Sequence, residues 1–305
     1  MTLAMVETNE QGVTLTSLEA LTFARDLAGR RGSEPLHAVL VGPLAPDAHD
    51  LVLSQLGEQG VGVVHHAQDE RLASYSAAAW AAAVVDATGT TSAAVVAMAG
   101  TPRGNEIAAH VATRLDATMA ANVVAVEETD PLTVSRQVVG GSALEEMRFA
   151  GSPAVFTVAG HATDPQPAEQ PTEPDVIDFA PALTDADLLG QVSRTEEAQG
   201  ESTDALTGAR VVVGAGRGAG SADGFGDLLE LSDLLGGALG VSRVVTSLGW
   251  RPHHEQVGQT GSRIAPDVYI ACGISGAIQH LAGCQSAKTI VTINTDPDAP
   301  MVTKS

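Results

Sequence analysis

The sequence predicts an α/β fold of mostly parallel sheets, carried in two domains. Short runs rich in Val, Ile and Ala alternate with stretches whose apolar residues recur at helical spacing. Aromatic residues make up only 3% of the chain against 44% hydrophobic, so the core is built from Ala, Val, Leu and Ile, which suits layered strands and helices. At 305 residues the chain also exceeds what one hydrophobic core usually holds.

The elements follow in order. Residues 18–28, "LEALTFARDLA", read as a helix closed by Gly29 and Gly32. Residues 38–42 are a short buried strand ending in Gly42, and 62–64 another. A helix over 75–87, a strand over 93–98, a helix over 105–115 and a strand over 121–126 complete an amino-terminal α/β domain, 1–160. Residues 161–206 change character: eleven acidic residues and five prolines face a single Arg194, which reads as an acidic linker with one short helix over 185–192. The alternation resumes in a second domain, 207–305. Val211, Val212 and Val213 run into a glycine-rich turn, 214–220. Leu228, Leu229, Leu231, Leu234 and Leu235 then mark a helix, and 241–245 a strand or its edge. Strands over 268–272 and 289–293 follow, the last with Asn294 at its end.

A formal charge of −21 argues against nucleic acid and anionic membrane as partners. Lysine occurs only at Lys288 and Lys304, and this acidic, lysine-poor surface suits a halophilic cytoplasm. Cys272 and Cys284 form no C-x-x-C and read as buried thiols. The start shows no secretory pattern, and the Ala-rich stretch over 77–85 is too short for a bilayer, so a cytoplasmic protein that is not membrane-embedded is expected.

Ligands of parallel α/β sheets bind where strands end and helix N-termini begin. Three strand ends of the second domain carry suitable residues: Gly214 to Gly220, Gly273 to Gly276, and Asn294. The glycine run is not a clean G-x-G-x-x-G, because Ala219 stands at the third glycine, and alone it equally describes a flexible turn. Arg217 reads as a solvated turn residue or as a bidentate partner for a pyrophosphate. His280, about one turn into a helix beginning near Ser275, reads as a packed histidine or a ligand contact. The pairs His65–His66 and His253–His254 lack carboxylate or cysteine partners at metal-binding spacing, so no metal is expected. An NAD-dependent enzyme is an alternative; its ribose-binding acid would be Asp233, which the pattern places inside a helix.

Longer motifs narrow this. "QVGQTG", "APDVYIACGISGAIQHLAG" and "IVTINTDPDAP", with "GRG" at 216–218 and "GVSR" at 240–243, occur in the order found in the alpha subunit of electron transfer flavoprotein, which the chain resembles. "LEALTFARDLAG", "GNEIAAHVATRL" and "VVGGSA" extend the likeness, more loosely, to the first domain. The resemblance implies a Rossmann-like FAD-binding second domain. Carried over by position, Arg217, Ser242, Arg243, Gln256, Val257, Gly258, Gln259, Thr260, Ser275, Gly276, Ala277, Ile278, Gln279, His280 and Asn294 would contact FAD. Arg243 would lie over the flavin ring, Thr260 would reach its N5 side and His280 its N1/C2=O side. Ser242, Ser275 and Asn294 would serve the ribityl and phosphate portion.

The resemblance further implies a beta-subunit partner, electrons arriving from acyl-CoA dehydrogenases or related flavoenzymes, and delivery to a membrane quinone oxidoreductase. An electron-bifurcating variant, or a nucleotide-binding regulator with a decayed flavin site, are the alternatives within this reading. If His280 and Arg243 each form a charge-assisted hydrogen bond to the reduced ring, each raises the first reduction potential by roughly 60–130 mV. Three departures stand out. Ser247 replaces a usual aspartate and Ser262 a usual lysine, and after "DAPMVTKS" there is no Val-Ala-Asp-Tyr-Gly segment of the kind that helps hold adenine, so a weakened grip on FAD is expected.

Overall fold

The structure, a computed structural model, describes residues 1–44, 48–141, 143–194 and 206–304. The chain divides into two compact units: Met1–Val139 with Ala143–Thr195, and Gly140–Ser142 with Glu196–Ser305.

The first unit opens with β1 (Thr2–Met5) and a small hairpin, β2 (Thr8–Asn9) and β3 (Gly12–Val13). Helix α1 (Leu15–Arg30) is capped by Thr14, whose hydroxyl accepts from the Ser17 amide. Then come β4 (Leu36–Val41), α2 (His49–Glu58), β5 (Val63–Ala67), α3 (Ala77–Thr91), β6 (Val95–Ala99) and α4 (Pro102–Arg114). Thr101 caps α4, and Pro102 in its first turn has no amide to leave unpaired. β7 (Met119–Thr129), β8 (Leu132–Val138) and β9 (Ala143–Arg148) form an antiparallel meander, followed by β10 (Ala154–Val158) and β11 (Asp175–Phe179).

The nine-stranded sheet runs β11-β5-β4-β1-β6-β10-β7-β8-β9, parallel as far as β7. Side chains alternate across it. Val95, Ala97 and Ala99 face a core with Leu21, Leu27, Val52 and Leu56 of α1 and α2. Val96 and Met98 face the other core, with Val84, Ile107 and Val111 of α3 and α4.

The linker expected over 161–206 is corrected here. Residues 175–179 pair with β5 in register from Asp175 opposite Val63 to Phe179 opposite Ala67. An edge strand contributes backbone hydrogen bonds without burying an apolar face, so its composition reads as linker. The helix expected over 185–192 is only a 3-10 turn, Asp185–Leu188. The Asp187 carboxylate anchors it, accepting from the Thr184 amide and hydroxyl and from Arg114. Residues 195–205 of the expected linker lie outside the described residues.

The second unit is a four-stranded, all-parallel sheet. Its strands are β12 (Val211–Ala215), β13 (Ala238–Val241), β14 (Val268–Cys272) and β15 (Thr289–Ile293), in the order β13-β12-β14-β15. Helix α5 (Gly226–Leu234) packs Leu228, Leu229 and Leu231 against Val213, Ala215 and Val241, while Leu234 and Leu235 stay exposed. The strand read over 241–245 is corrected: β13 stops at Val241, and α6 (Arg243–Ser247) begins two residues later. On the opposite face α7 (Ile278–Cys284) packs Leu281 and Cys284 against Val212, Tyr269 and Ala271. A short terminal helix, α8 (Pro300–Thr303), seats Met301 in the same core. Among the described residues no helix is long and apolar enough to cross a membrane.

Candidate functional site

Because the second sheet is wholly parallel, its four strands end at one edge. β12 leads into Gly216 and a 3-10 turn, Arg217–Ala219; β13 into Ser242; β14 into Gly273; β15 into Asn294. Two cavities open there. The larger, about 750 Å³, is lined by Arg217, Gly218, Ser242, Ser275 and Asn294 among others. The smaller, about 210 Å³, is lined by Arg243, the loop 256–260, 274–277, Gln279 and His280. Ser242, Val244, Ile274 and Ser275 line both, so the two adjoin. Every residue expected at the site lines one or the other except Ile278, which is exposed at the start of α7.

The helix expected to begin near Ser275 begins instead at Ile278, so Ser275 and Gly276 belong to the loop before it. That loop is braced by the terminal helix: the Met301 amide donates to the Ser275 carbonyl at 3.2 Å. A Cβ on Gly276 would come within 2.3 Å of the Met301 nitrogen. Gly218 and Gly283 make contacts of the same kind. A Cβ on Gly218 would meet the Gly273 Cα at 2.5 Å, and one on Gly283 the Gly258 Cα at 2.4 Å. Gly273 itself has φ +62°. These glycines let two backbones touch, which lets neighbouring strand-end loops pack closely enough to shape the cavities.

The polar groups fall into two sets. Some are occupied. Asn294 donates to the Ile274 carbonyl at 2.9 Å and accepts from the Asp296 amide at 3.0 Å, stapling two of the loops. The Gln259 amide donates to the Gln279 carbonyl at 2.7 Å, tying the 256–262 loop to α7. Others are left open. Ser242 Oγ and His280 Nδ1 are buried with no hydrogen-bond partner in the protein. Buried polar atoms are nearly always paired, so two at one edge of one sheet mark where a ligand's polar atoms belong. Arg217, Arg243 and Thr260 are exposed around them.

His280 is buried, and burial pushes its pKa down to about 4, with the Val257 backbone pulling the other way. The ring is neutral at ordinary pH. A bond from it to the reduced flavin would therefore be charge-assisted through the flavin's negative charge and not through the imidazole. Its other nitrogen, Nε2, lies 2.7 Å from the Tyr269 hydroxyl. Tyr269 is fully buried, and that burial, with Cys284 and Cys272 nearby, holds its pKa well above the usual range. Both cysteines are free, and burial raises both thiols, Cys284 to about 12. Asp233 sits on α5 and lines a different cavity, with Leu206 and Arg251, so it is not placed to serve a ribose beside the 214–220 turn. Sequence reading missed Tyr269 and Thr246. Tyr269 reads there as an ordinary strand residue, and Thr246 falls in a segment read as strand.

A parallel sheet whose strand ends open into adjoining wide and narrow cavities, with unpartnered buried polar atoms between loops, defines a binder of a large nucleotide cofactor. Comparison with known families makes this specific. A family model for the electron transfer flavoprotein domain matches residues 2–184, and one for the electron transfer flavoprotein FAD-binding domain matches residues 205–285. The alpha subunit of electron transfer flavoprotein from Mycobacterium leprae is 35% identical over 98% of this chain and 90% of its own length. That from Thermoanaerobacterium thermosaccharolyticum is 32% identical over 93% and 86%. A probable mitochondrial alpha subunit from Caenorhabditis elegans is 33% identical over 98% and 86%. The chain belongs to the electron transfer flavoprotein alpha subunit family, and FAD is its cofactor.

Proposed function

We propose that this chain is the FAD-bearing half of a heterodimer with a beta subunit. In this role it accepts electrons from acyl-CoA dehydrogenases or related flavoenzymes and hands them to a membrane quinone oxidoreductase. FAD supplies the redox chemistry, and the protein supplies binding, orientation and the local field. The observation that carries the reading is the pair of unpartnered buried atoms, Ser242 Oγ and His280 Nδ1, in cavities within the family's FAD-binding region.

The narrow cavity suits a flat ring, with His280 offering a donor to the C2=O side, Thr260 reaching N5 and Arg243 over a face. The wide cavity suits the ribityl chain and pyrophosphate, with Ser242 and Ser275 at the junction, Arg217 as the cation and Asn294 using the one donor and one lone pair its staple leaves over. Gln256 to Gln259, with Gly276, Ala277 and Gln279, supply the walls. Ile278, exposed beside the ring cavity, is removed from direct contact and assigned to the rim. Two free buried cysteines suit a reducing compartment, and we place the protein in the cytoplasm.

The test is co-expression with the beta subunit, followed by stepwise anaerobic reduction under a visible spectrophotometer. A yellow heterodimer that takes up one electron well before the second is the expected outcome. A colourless complex, or a flavin reduced only in two-electron steps, overturns the carrier role.

A further inference from the structure

The 2.7 Å contact between Tyr269 Oη and His280 Nε2 leaves a question of direction: which atom carries the hydrogen? Tyr269 is 0% exposed, and among the described residues its hydroxyl has no other hydrogen-bond partner. If His280 donated from Nε2, the phenolic hydrogen would be stranded in the core and Nδ1 would be a buried, bare lone pair. Two buried groups would go unsatisfied. If the phenol donates, both atoms of the contact are satisfied, and Nδ1–H remains to be met, since the Val257 backbone, which favours a proton on this ring, makes no hydrogen bond to Nδ1. The phenol keeps its proton because burial raises its pKa, and the imidazole, depressed by burial, holds one proton only.

Gly214 makes the contact possible. A Cβ there would lie 2.2 Å from Tyr269 Oη, so the hydroxyl occupies the space that any other residue's side chain would fill. The first glycine of the 214–220 run, which by pattern belongs to a phosphate turn, is thus a seat for a tyrosine.

We infer that Tyr269, seated by Gly214, fixes the single proton of His280 on Nδ1, so that the histidine presents a hydrogen-bond donor, not an acceptor, to the flavin. Tyr269 is a positioning residue: it acts through His280 and touches no cofactor. The last clause rests on the FAD reading above, whereas the tautomer belongs to this chain alone.

The two are separated by nitrogen-15 NMR of the full chain with labelled histidine, using His280→Gln to assign the signals. In the FAD-free chain the expected spectrum shows His280 protonated on Nδ1 and bare on Nε2. Tyr269→Phe, which keeps the ring, should release it to a mixture or to the Nε2–H form. Gly214→Ala, which displaces the hydroxyl, should do the same; if that variant fails to fold, Tyr269→Phe still decides. An Nε2–H wild type, or a tautomer unmoved by Tyr269→Phe, overturns the inference. Adding FAD to the wild type should then shift the Nδ1–H signal. If no shift occurs while the tautomer result holds, what fails is the placement of the flavin, not the role of Tyr269. With both intact, Tyr269→Phe should lower the equilibrium constant for the first electron about 2- to 12-fold. FAD affinity should move less than that, a split that general loosening of the core would not produce.

Discussion

Both units end parallel strands at a common edge, and among the described residues the polar groups at the two edges are used differently. In the first unit the order β5-β4-β1-β6-β10 places a switch point between β1 and β6, where such folds often bind nucleotides. There the polar groups have found one another. Thr101 donates to Glu7, and its hydroxyl accepts from the Gly104 amide; Ser17 accepts from the Glu7 amide; Thr157 joins Asn105 to the Asn122 amide. The unpartnered buried atoms of that unit, Thr2 Oγ1 and Trp80 Nε1, sit at the start of β1 and on α3. In the second unit Ser242 Oγ and His280 Nδ1 wait beside two cavities. What differs is whether the strand-end polar groups are satisfied within the protein.

The largest effect expected from breaking this contrast comes from the glycine contacts. Gly273→Ala forces a Cβ to within 2.5 Å of Gly218 Cα at a residue of φ +62°, and neither backbone can retreat cheaply. Strain and overpacking together should cost about 3 kcal/mol or more. Gly104→Ala makes a similar clash, 2.0 Å from the Ala99 carbonyl oxygen, in the first unit. Trp250 and Trp80 report on the second and first units separately. In urea melts each variant should lower the midpoint of its own tryptophan's transition, and only Gly273→Ala should lower FAD affinity through the site. Equal loss of FAD affinity in both variants would show that the first unit's edge also supports cofactor binding.

The next effect is a pH dependence. His280 has a folded pKa depressed to about 4 against an ordinary value near 6.5. A depressed base stabilises the fold above its unfolded pKa and loses that contribution as pH falls toward the folded one. The FAD-free second unit should therefore lose up to about 3 kcal/mol between pH 6.5 and pH 4. His280→Gln should flatten that slope in Trp250-detected melts. The stacked pair His37 and His65 in the first unit is also depressed by burial, so the Trp80 signal should keep its own acid slope in that variant. A His280→Gln protein with an unchanged Trp250 slope would mean the ring is not buried and neutral as described.

Much of this was legible in advance, and the gaps have physical causes. β14 and β15 match their expected limits because each is an apolar run bounded by glycine, proline or polar residues. The residues that line the two cavities were legible through long motifs; by pattern alone, Gly214 to Gly220 read equally as a phosphate loop or a flexible turn. β1 was missed because four residues at the very start of the chain show no period, and β11 because an edge strand with exposed side chains needs no apolar alternation. The segment 241–245 misled because Val241, Val244 and Val245 satisfy strand and helix patterns alike, while the Ser242 cap that separates them has no distinctive spacing. The purpose of the glycines was not legible. A glycine needed for a neighbour's backbone, or for a tyrosine hydroxyl, looks in sequence like one needed for a phosphate.

The smallest expected effect lies in the relay behind Thr260. Thr246 Oγ1 lies 2.7 Å from Gln256 Oε1, and Gln256 Nε2 donates to Thr260 Oγ1 at 3.1 Å. Gln256 is only 2% exposed, so its amide cannot turn to water if Thr246 is lost. With Thr246 present, Thr260 accepts from Gln256 and keeps its own hydrogen for the cavity. In Thr246→Val Gln256 Oε1 loses its donor, so nothing fixes which way the amide faces and Thr260 is no longer held as an acceptor. One neutral hydrogen bond to the flavin should be lost, about 0.5–1.5 kcal/mol, or roughly 2- to 12-fold in FAD affinity by fluorescence titration. Thr260→Val should cost about the same, and the double variant no more than either alone, because both remove one interaction. Additive losses would mean that Thr246 acts only through its other contact, the Arg243 carbonyl at 3.0 Å. The second unit's edge would then rest on His280 and Ser242, with Thr260 a member of the rim.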